Sequence, residues 1–376
     1  MIYLDYASAT PVDKEVLKIY NETNNLYFAN PNSIHPLGLE AKDKLNYYTN
    51  SIANRLGVNK EEIIYTSGAT ESNNLVIKGI AKRYKNYGKH ILLSSLEHQS
   101  LIAPATSLEK EGFEVELIPV DKNGIVDLDE LKDMIREDTI LVSVTSVDSE
   151  LGIIQPINEI KKLLKEYKNC KFHTDASQAI GKINIDFTGI DLVTIAPHKF
   201  YGLNGTGILI KKKGVELAPL IEGGRSTTPY RSGTPVIAEA AALDKALELA
   251  LENIDLRTKS VENSNKQIMA NLKQYNNINI NSNEKSVKNI INFSIKGIKS
   301  TEFVDYMGKN NICISGKTSC CPIDAPSKLV YAKTKDKSLS STSVRISLSH
   351  LTKQEEIDEF LKVFEKIQKE LVNGKI

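Results

Sequence analysis

Between about residues 60 and 210, short apolar runs alternate with segments of helical period. This alternation, more than any other feature, limits what the chain can fold into. Ile63-Ile64-Tyr65-Thr66 reads as a strand, followed by a helix from Thr70. Ile91-Leu92-Leu93-Ser94 is the next strand. Val115-Glu116-Leu117-Ile118-Pro119 precedes a helix over 128–136, and Leu141-Val142-Ser143-Val144 precedes one over 157–167. Runs at 171–174, 192–195 and 207–210 complete the set. The pattern predicts an α/β fold with a mostly parallel sheet covered by helices on both faces. Ligands of such sheets sit beyond the carboxyl ends of the strands. Ser67-Gly68-Ala69-Thr70, His98, Ser149, Asp175 and Lys199 all fall at those ends.

Beyond this region, an Ala- and Leu-rich stretch predicts a helix over 236–251. Asn and Lys then become frequent over 253–290, which reads as a boundary with surface loops. Strand patterns at 290–295 and 344–348, with helical ones at 301–307 and 353–371, predict a smaller α+β domain. The expected division is a large ligand-binding domain over 14–255 and a small domain made of 1–13 plus 256–376.

The chain has 376 residues and a formal net charge of +1. That balance gives no electrostatic case for nucleic acid or an acidic membrane as partner. No apolar run approaches the length of a membrane span. The start, Met1-Ile2-Tyr3-Leu4-Asp5, reads as a strand rather than a secretory leader. Four cysteines (Cys170, Cys313, Cys320, Cys321) are too few for a disulfide framework and lack zinc-site spacing. A cytoplasmic, reducing location is expected.

His173-Thr174-Asp175-Ala176-Ser177-Gln178 ends one apolar run, and Ala196-Pro197-His198-Lys199 ends the next. Two neighbouring strands thus deliver a carboxylate and an amine to one sheet edge. The pairing suits pyridoxal phosphate, in which a lysine forms the Schiff base and a carboxylate keeps the pyridine nitrogen protonated. A buried salt bridge beside a surface lysine has the same signature. Thr66-Ser67-Gly68-Ala69-Thr70-Glu71-Ser72-Asn73, between strand and helix, reads as an anion cradle or as a plain helix cap. His98 is placed to stack on a ring and move protons, or is incidental. Gln178 is a ring-hydroxyl contact or a polar first-turn residue. His198 is a phosphate contact. His173, Asp175 and His198 match no metal motif, so no metal is expected.

Nearer the C-terminus, Ile314-Ser315-Gly316-Lys317-Thr318-Ser319-Cys320-Cys321-Pro322 has the composition of a surface loop. A cysteine there is a travelling nucleophile, half of a redox or soft-metal pair, or uninvolved. Arg345, inside Ser343-Val344-Arg345-Ile346-Ser347-Leu348, needs a partner. A substrate carboxylate and an internal Asp or Glu both qualify.

These motifs, with Tyr3-Leu4-Asp5-Tyr6-Ala7-Ser8-Ala9-Thr10-Pro11, Asn30-Pro31-Asn32-Ser33-Ile34-His35, Glu97-His98, Glu150-Leu151-Gly152-Ile153-Ile154-Gln155-Pro156 and Arg231-Ser232-Gly233-Thr234, occur in a fixed order nearly end to end. The chain resembles the cysteine desulfurases of the NifS/IscS type, in the class V aminotransferase group of fold-type I pyridoxal phosphate enzymes. The resemblance implies conversion of L-cysteine to L-alanine, with sulfur left as a persulfide on Cys320 and passed to an acceptor protein. It implies pyridoxal 5'-phosphate as cofactor, with Lys199 as the Schiff-base lysine. Asp175 becomes the pyridinium partner, Gln178 the ring-hydroxyl contact and His98 the stacking acid–base residue. Thr70 and His198, with Thr234 from a neighbouring subunit, become phosphate contacts beside Gly68 and Ala69. Arg345 becomes the carboxylate clamp, Ala7 and Ser8 line the substrate pocket, and the protein is a homodimer.

Three departures stand out. Asp148-Ser149-Glu150 replaces the usual Asn-Asn-Glu, so Ser149 is shorter than the asparagine that touches the ring hydroxyl. Ala196 replaces a phosphate-binding serine. Arg225-Ser226-Thr227-Thr228 replaces the usual residues after Gly223-Gly224. Two other readings accompany the desulfurase one. The chain is a selenocysteine lyase or other pyridoxal phosphate β-lyase or aminotransferase, or it is a non-catalytic dimeric scaffold.

Overall fold

The computed structural model of the protein describes residues 1–224, 226–317 and 325–372. The strands are β1 (Ile2–Tyr3), β2 (Ile63–Thr66), β3 (His90–Ser94), β4 (Glu114–Ile118), β5 (Thr139–Ser143), β6 (Lys171–Asp175), β7 (Leu192–Ile195), β8 (Gly207–Lys211), β9 (Ile278–Ile280), β10 (Ile290–Ile295), β11 (Ile312–Cys313) and β12 (Ser343–Ser347). Seven of them form one sheet in the order β2-β8-β7-β6-β5-β3-β4. Only β8 runs against its neighbours, pairing antiparallel with β2 and β7. The alternation in the sequence has this physical origin. β3, β5, β7 and β8 are buried at every position, as strands covered on both faces must be.

The helix Ala69–Tyr84 packs on one face and buries Leu75, Val76, Ile77 and Ile80. The helix Ile237–Glu252, close to the predicted 236–251, packs with Lys14–Leu26 and Pro36–Leu56. Its alanines at 240, 241, 246 and 250 permit close approach, and buried Leu243 and Leu247 each contribute roughly 1.5–3 kcal/mol of apolar transfer. Helix Pro36–Leu56 has clear local causes. Proline occupies its first turn, the His35 side chain caps the Gly38 amide, and Gly57 ends it at φ 65°.

The smaller sheet is antiparallel, in the order β12-β10-β9, beside a parallel β1-β11 pair. Its core joins Leu4 to residues from Val261 to Ile367, with Phe293, Phe303 and Phe364 in edge-to-face contact. The Asn- and Lys-rich stretch is not a run of surface loops. It forms the helix Ile254–Leu272 and then β9. Val261, Ser264, Ile268 and Leu272 recur at helical spacing on one buried face, while the asparagines and lysines occupy the other faces.

Two isolated bridges, Asp5 to Ser347 and Ser315 to Arg345, tie the N-terminal segment and Ser315 to β12. Among the described residues, no helix is long and apolar enough to cross a membrane.

Candidate active site

The carboxyl ends of the large-sheet strands open into a cavity of about 370 Å3, within the roughly 300–1,000 Å3 range of small-molecule sites. Ala7, Ser8, Gly68, Ala69, Thr70, His98, Ser149, Asp175, Gln178, His198, Lys199 and Arg345 all line it. Two sequence candidates stand apart. Thr234 is exposed and does not line the cavity of its own chain. Cys320, with Cys321, lies outside the described residues.

One end of the cavity is an anion cradle. Gly68 (φ 143°) caps the helix Ala69–Tyr84, whose first amides have no intrahelical acceptor. Gly207 runs against this turn. A Cβ there would lie 2.6 Å from the Gly68 Cα, so only glycine permits the approach. Glu71 would oppose an anion here, but Arg231 Nε pairs with it at 3.0 Å and the Ser67 amide donates to it at 2.7 Å. Burial and the Lys199 charge hold the His198 imidazole down to about 4, so it is neutral at neutral pH. Ala196 is buried and does not line the cavity.

Asp175, at the end of β6, is buried and held on both oxygens. Its Oδ2 accepts from Asn73 Nδ2 at 2.9 Å and its Oδ1 from the Ser177 amide at 2.9 Å. Beneath it lies a polar layer that sequence reasoning did not assign. The Thr145 amide donates to Glu97 Oε1 at 2.6 Å. Burial and the charge of Asp175 raise the Glu97 carboxyl well above its ordinary range. His173 lies between the hydroxyls of Ser143 (2.8 Å) and Thr194 (3.0 Å), and burial holds it down to about 4. Those contacts occupy both ring nitrogens of His173.

His98 caps the helix Gln99–Leu108. The Ser100 amide donates to its Nδ1 at 3.1 Å, which puts the neutral ring's proton on Nε2. Burial lowers its pKa, opposed by Asp175 and assisted by Lys199.

Lys199 leaves a short 3-10 turn after β7. Its Nζ donates to the carbonyls of Ala7 (2.9 Å) and Ser8 (2.6 Å). The Ala7 carbonyl also accepts from Gln178 Nε2 at 2.8 Å.

At the far wall Arg345 is almost fully buried. It donates through Nη2 to Asp5 Oδ1 (2.8 Å) and Ser8 Oγ (2.6 Å), and through Nη1 to the Ser149 carbonyl (2.6 Å). Arg345 therefore has an internal carboxylate partner in Asp5 and also lines the cavity. Ser149 contributes its backbone to this clamp, in a turn shaped by Asp148, which accepts from the amides of Glu150, Leu151 and Ile153.

Asn73, Glu97, Thr145 and Asp5 are the functional neighbours that sequence reasoning missed. Asn73 and Glu97 stood inside quoted motifs, adjacent to named residues, yet their partners are 102 and 48 residues away along the chain.

The class-V aminotransferase family model matches residues 2–360. The cysteine desulfurase IscS of Dictyoglomus turgidum is 36% identical over 98% of this chain and 95% of its own length. A solved NifS-like protein superposes with a TM-score of 0.91 at 31% identity, covering 98% of this chain and 99% of its own. SspA, solved in complex with cysteine, gives a TM-score of 0.80 at 30% identity over 93% of this chain and 99% of its own. The chain belongs to the class-V aminotransferase family and, within it, to the cysteine desulfurases of the NifS/IscS type.

Proposed function

We propose that the protein converts L-cysteine to L-alanine and leaves the sulfur as a persulfide on Cys320, for transfer to an acceptor protein. The observation that carries this reading is the convergence of Asp175, Lys199, His98 and Arg345 on one cavity whose other end is an anion cradle.

The residues present fit pyridoxal 5'-phosphate. Among the described residues Ser177 Oγ and Arg345 Nε are buried without a hydrogen-bond partner, and both residues line the cavity. The amides at Gly68, Ala69 and Thr70, the Thr70 hydroxyl and His198 would hold the phosphate. Thr234 would join them from the partner in a homodimer, and its exposure supports that role. Asp175 would hold the ring nitrogen, Gln178 and Ser149 the ring hydroxyl, and His98 one ring face. Lys199 would tether the group. When bound, this cofactor supplies an electron sink next to the substrate amine.

The chain's own groups do the rest. Arg345 binds the substrate carboxylate, with a planar fork already oriented by Asp5 and Ser8. Lys199 Nζ and the His98 ring take protons from and return them to the substrate carbon atoms. The Cys320 thiolate attacks the substrate sulfur. The S–S bond forms, the Cβ–S bond breaks and the carbon gains a proton, so cysteine plus thiol gives alanine plus persulfide without an external oxidant.

Two described residues that flank 318–324 in the sequence, Ser315 and Ser327, contact Arg345 and Glu150, which supports the assignment of Cys320. Ser315 exchanges backbone hydrogen bonds with Arg345, and Ser327 Oγ donates to Glu150. Cys170, by contrast, is buried, and its thiol is pushed up to about 12.

Among the described residues, the core that joins Leu4 to residues from Val261 to Ile367 draws only on 1–13 and 256–376, which supports a division into 14–255 and 1–13 plus 256–376, and a cytoplasmic location fits the free thiols of Cys170 and Cys313. The test is incubation with L-cysteine and pyridoxal phosphate, assaying alanine and sulfide. Equal alanine and reducible sulfur are expected. Absence of alanine from a cofactor-loaded protein contradicts the reading.

A further inference from the structure

A second lysine lies behind Lys199. Lys182 follows Gln178 by four residues on the turns that leave β6. Its Nζ donates to Gln178 Oε1 at 3.3 Å and to the backbone carbonyl of Lys199 at 3.4 Å. Gln178 Nε2 in turn donates to the Ala7 carbonyl, which also accepts from Lys199 Nζ. The contacts form a closed circuit from Lys182 through Gln178 and Ala7 to Lys199.

The circuit has a directional consequence. An amide oxygen that accepts from an ammonium cannot exchange places with its NH2 group without setting donor against donor. Gln178 is therefore fixed with its nitrogen forward and its oxygen back.

Lys182 also lines a pocket of about 20 Å3 behind the cavity, with Tyr6, Tyr201, Arg257 and His350 on its other walls. No Asp or Glu lines that pocket among the described residues. His350 there is held down to about 4 by burial and Arg257. On the cavity side, the charged and titratable neighbours of Lys199 are Asp175, His98 and His198.

We propose that Lys182 is a positioning residue of the desulfurase site, holding the Gln178 amide so that Nε2 faces the cavity and donates to the cofactor's ring oxygen. The proposal rests on the pyridoxal phosphate reading of the cavity. Burial and the Lys199 charge push Lys182 down to about 7, so its grip on Gln178 is strongest on the acid side of neutrality.

The test is a double-mutant cycle of Lys182→Met and Gln178→Ala. It is read first as pyridoxal phosphate dissociation from the full-length protein and then as the urea midpoint of the cofactor-free protein. Each single variant is expected to weaken cofactor binding about tenfold, and the double variant no more than Gln178→Ala alone. The Lys182→Met effect should be larger at about pH 6 than at about pH 8.5. Lys182→Arg should restore most of the affinity. Lys182→Gln, which keeps a donor without a charge, replaces Lys182→Met if that variant does not fold.

The proposal is overturned if the Lys182 effect persists undiminished in the Gln178→Ala background, or if Lys182→Met binds the cofactor as tightly as the parent. Failure of the parent to take up the cofactor would instead sink the desulfurase reading. In that case the cofactor-free unfolding cycle still decides whether Lys182 and Gln178 are coupled.

Discussion

Asn73 and Asp175 are joined across 102 residues of chain by a hydrogen bond of 2.9 Å, from the amide nitrogen to the buried carboxylate. The same nitrogen donates to Ser100 Oγ at 2.8 Å, and the Ser100 amide holds His98. One side chain on the helix that opens the anion cradle therefore aligns both the carboxylate and the imidazole of the site. Asn73 accordingly acts as the mechanical link between the Asp175 and His98 sides of the cavity.

Replacing Asn73 by Ala removes two donors from buried acceptors, one of them charged. Cofactor affinity should fall about tenfold to a hundredfold, in line with roughly 1.5–3 kcal/mol for a hydrogen bond to a charged group. Fluorescence titration with pyridoxal phosphate checks this. Unchanged affinity would mean that Asp175 is oriented by Ser177 alone.

Glu97 gives the opposite expectation. Burial, and then the charge of Asp175, push its carboxyl well above the ordinary range and favour the neutral form. Glu97→Gln fixes the group in an uncharged form and keeps an acceptor for the Thr145 amide. Its urea midpoint should match the parent to within about 1 kcal/mol of stability, whereas Glu97→Ala leaves that amide unpaired and should cost roughly 1–3 kcal/mol. A large loss in Glu97→Gln would show that the group is ionised in the fold.

The alternation of apolar runs made the large sheet readable, because β3, β5, β7 and β8 are buried on both faces and carry no polar phase. The edge where Asp175, Lys199 and His98 emerge was readable for the same reason. The helix Ile254–Leu272 was not. Its buried face is one residue per turn in a background of Asn and Lys, too thin a stripe to outweigh composition. The Arg345 clamp was half legible. An arginine in an apolar strand demands a partner, but only the return of the N-terminal strand beside β12 brings Asp5 to it.

His173 sets an acid limit on stability. Its folded pKa lies near 4, below the ordinary value of 6.5, because burial disfavours the charged ring. Between those values the unfolded chain binds the extra proton, so stability is lost as pH falls from about 6.5 toward about 4. Asp148, raised by burial to about 6, works in the opposite direction and loses its contribution as pH rises through about 6. A His173→Gln variant removes the histidine's share. Its stability loss between about pH 7 and pH 4.5 should be smaller than the parent's by about 2 kcal/mol. Parallel pH profiles for the two proteins would contradict this.

Arg345→Lys keeps a positive charge but loses the planar fork that reaches Asp5, Ser8 and Ser149 together. The KM for L-cysteine should rise about tenfold or more, the size of one charged hydrogen bond, with a smaller change in kcat. Steady-state kinetics on the folded variant checks this. A change confined to kcat would place the substrate carboxylate elsewhere.

The central claim is that one cysteine receives the sulfur. It is tested most directly by treating the cofactor-loaded protein with L-cysteine and mapping its peptides by mass spectrometry under non-reducing conditions. Cys320 should carry one added sulfur atom, and Cys320→Ala should retain the cofactor but release no alanine. Sulfur on Cys170, Cys313 or Cys321 alone, or continued alanine release by Cys320→Ala, would contradict the claim.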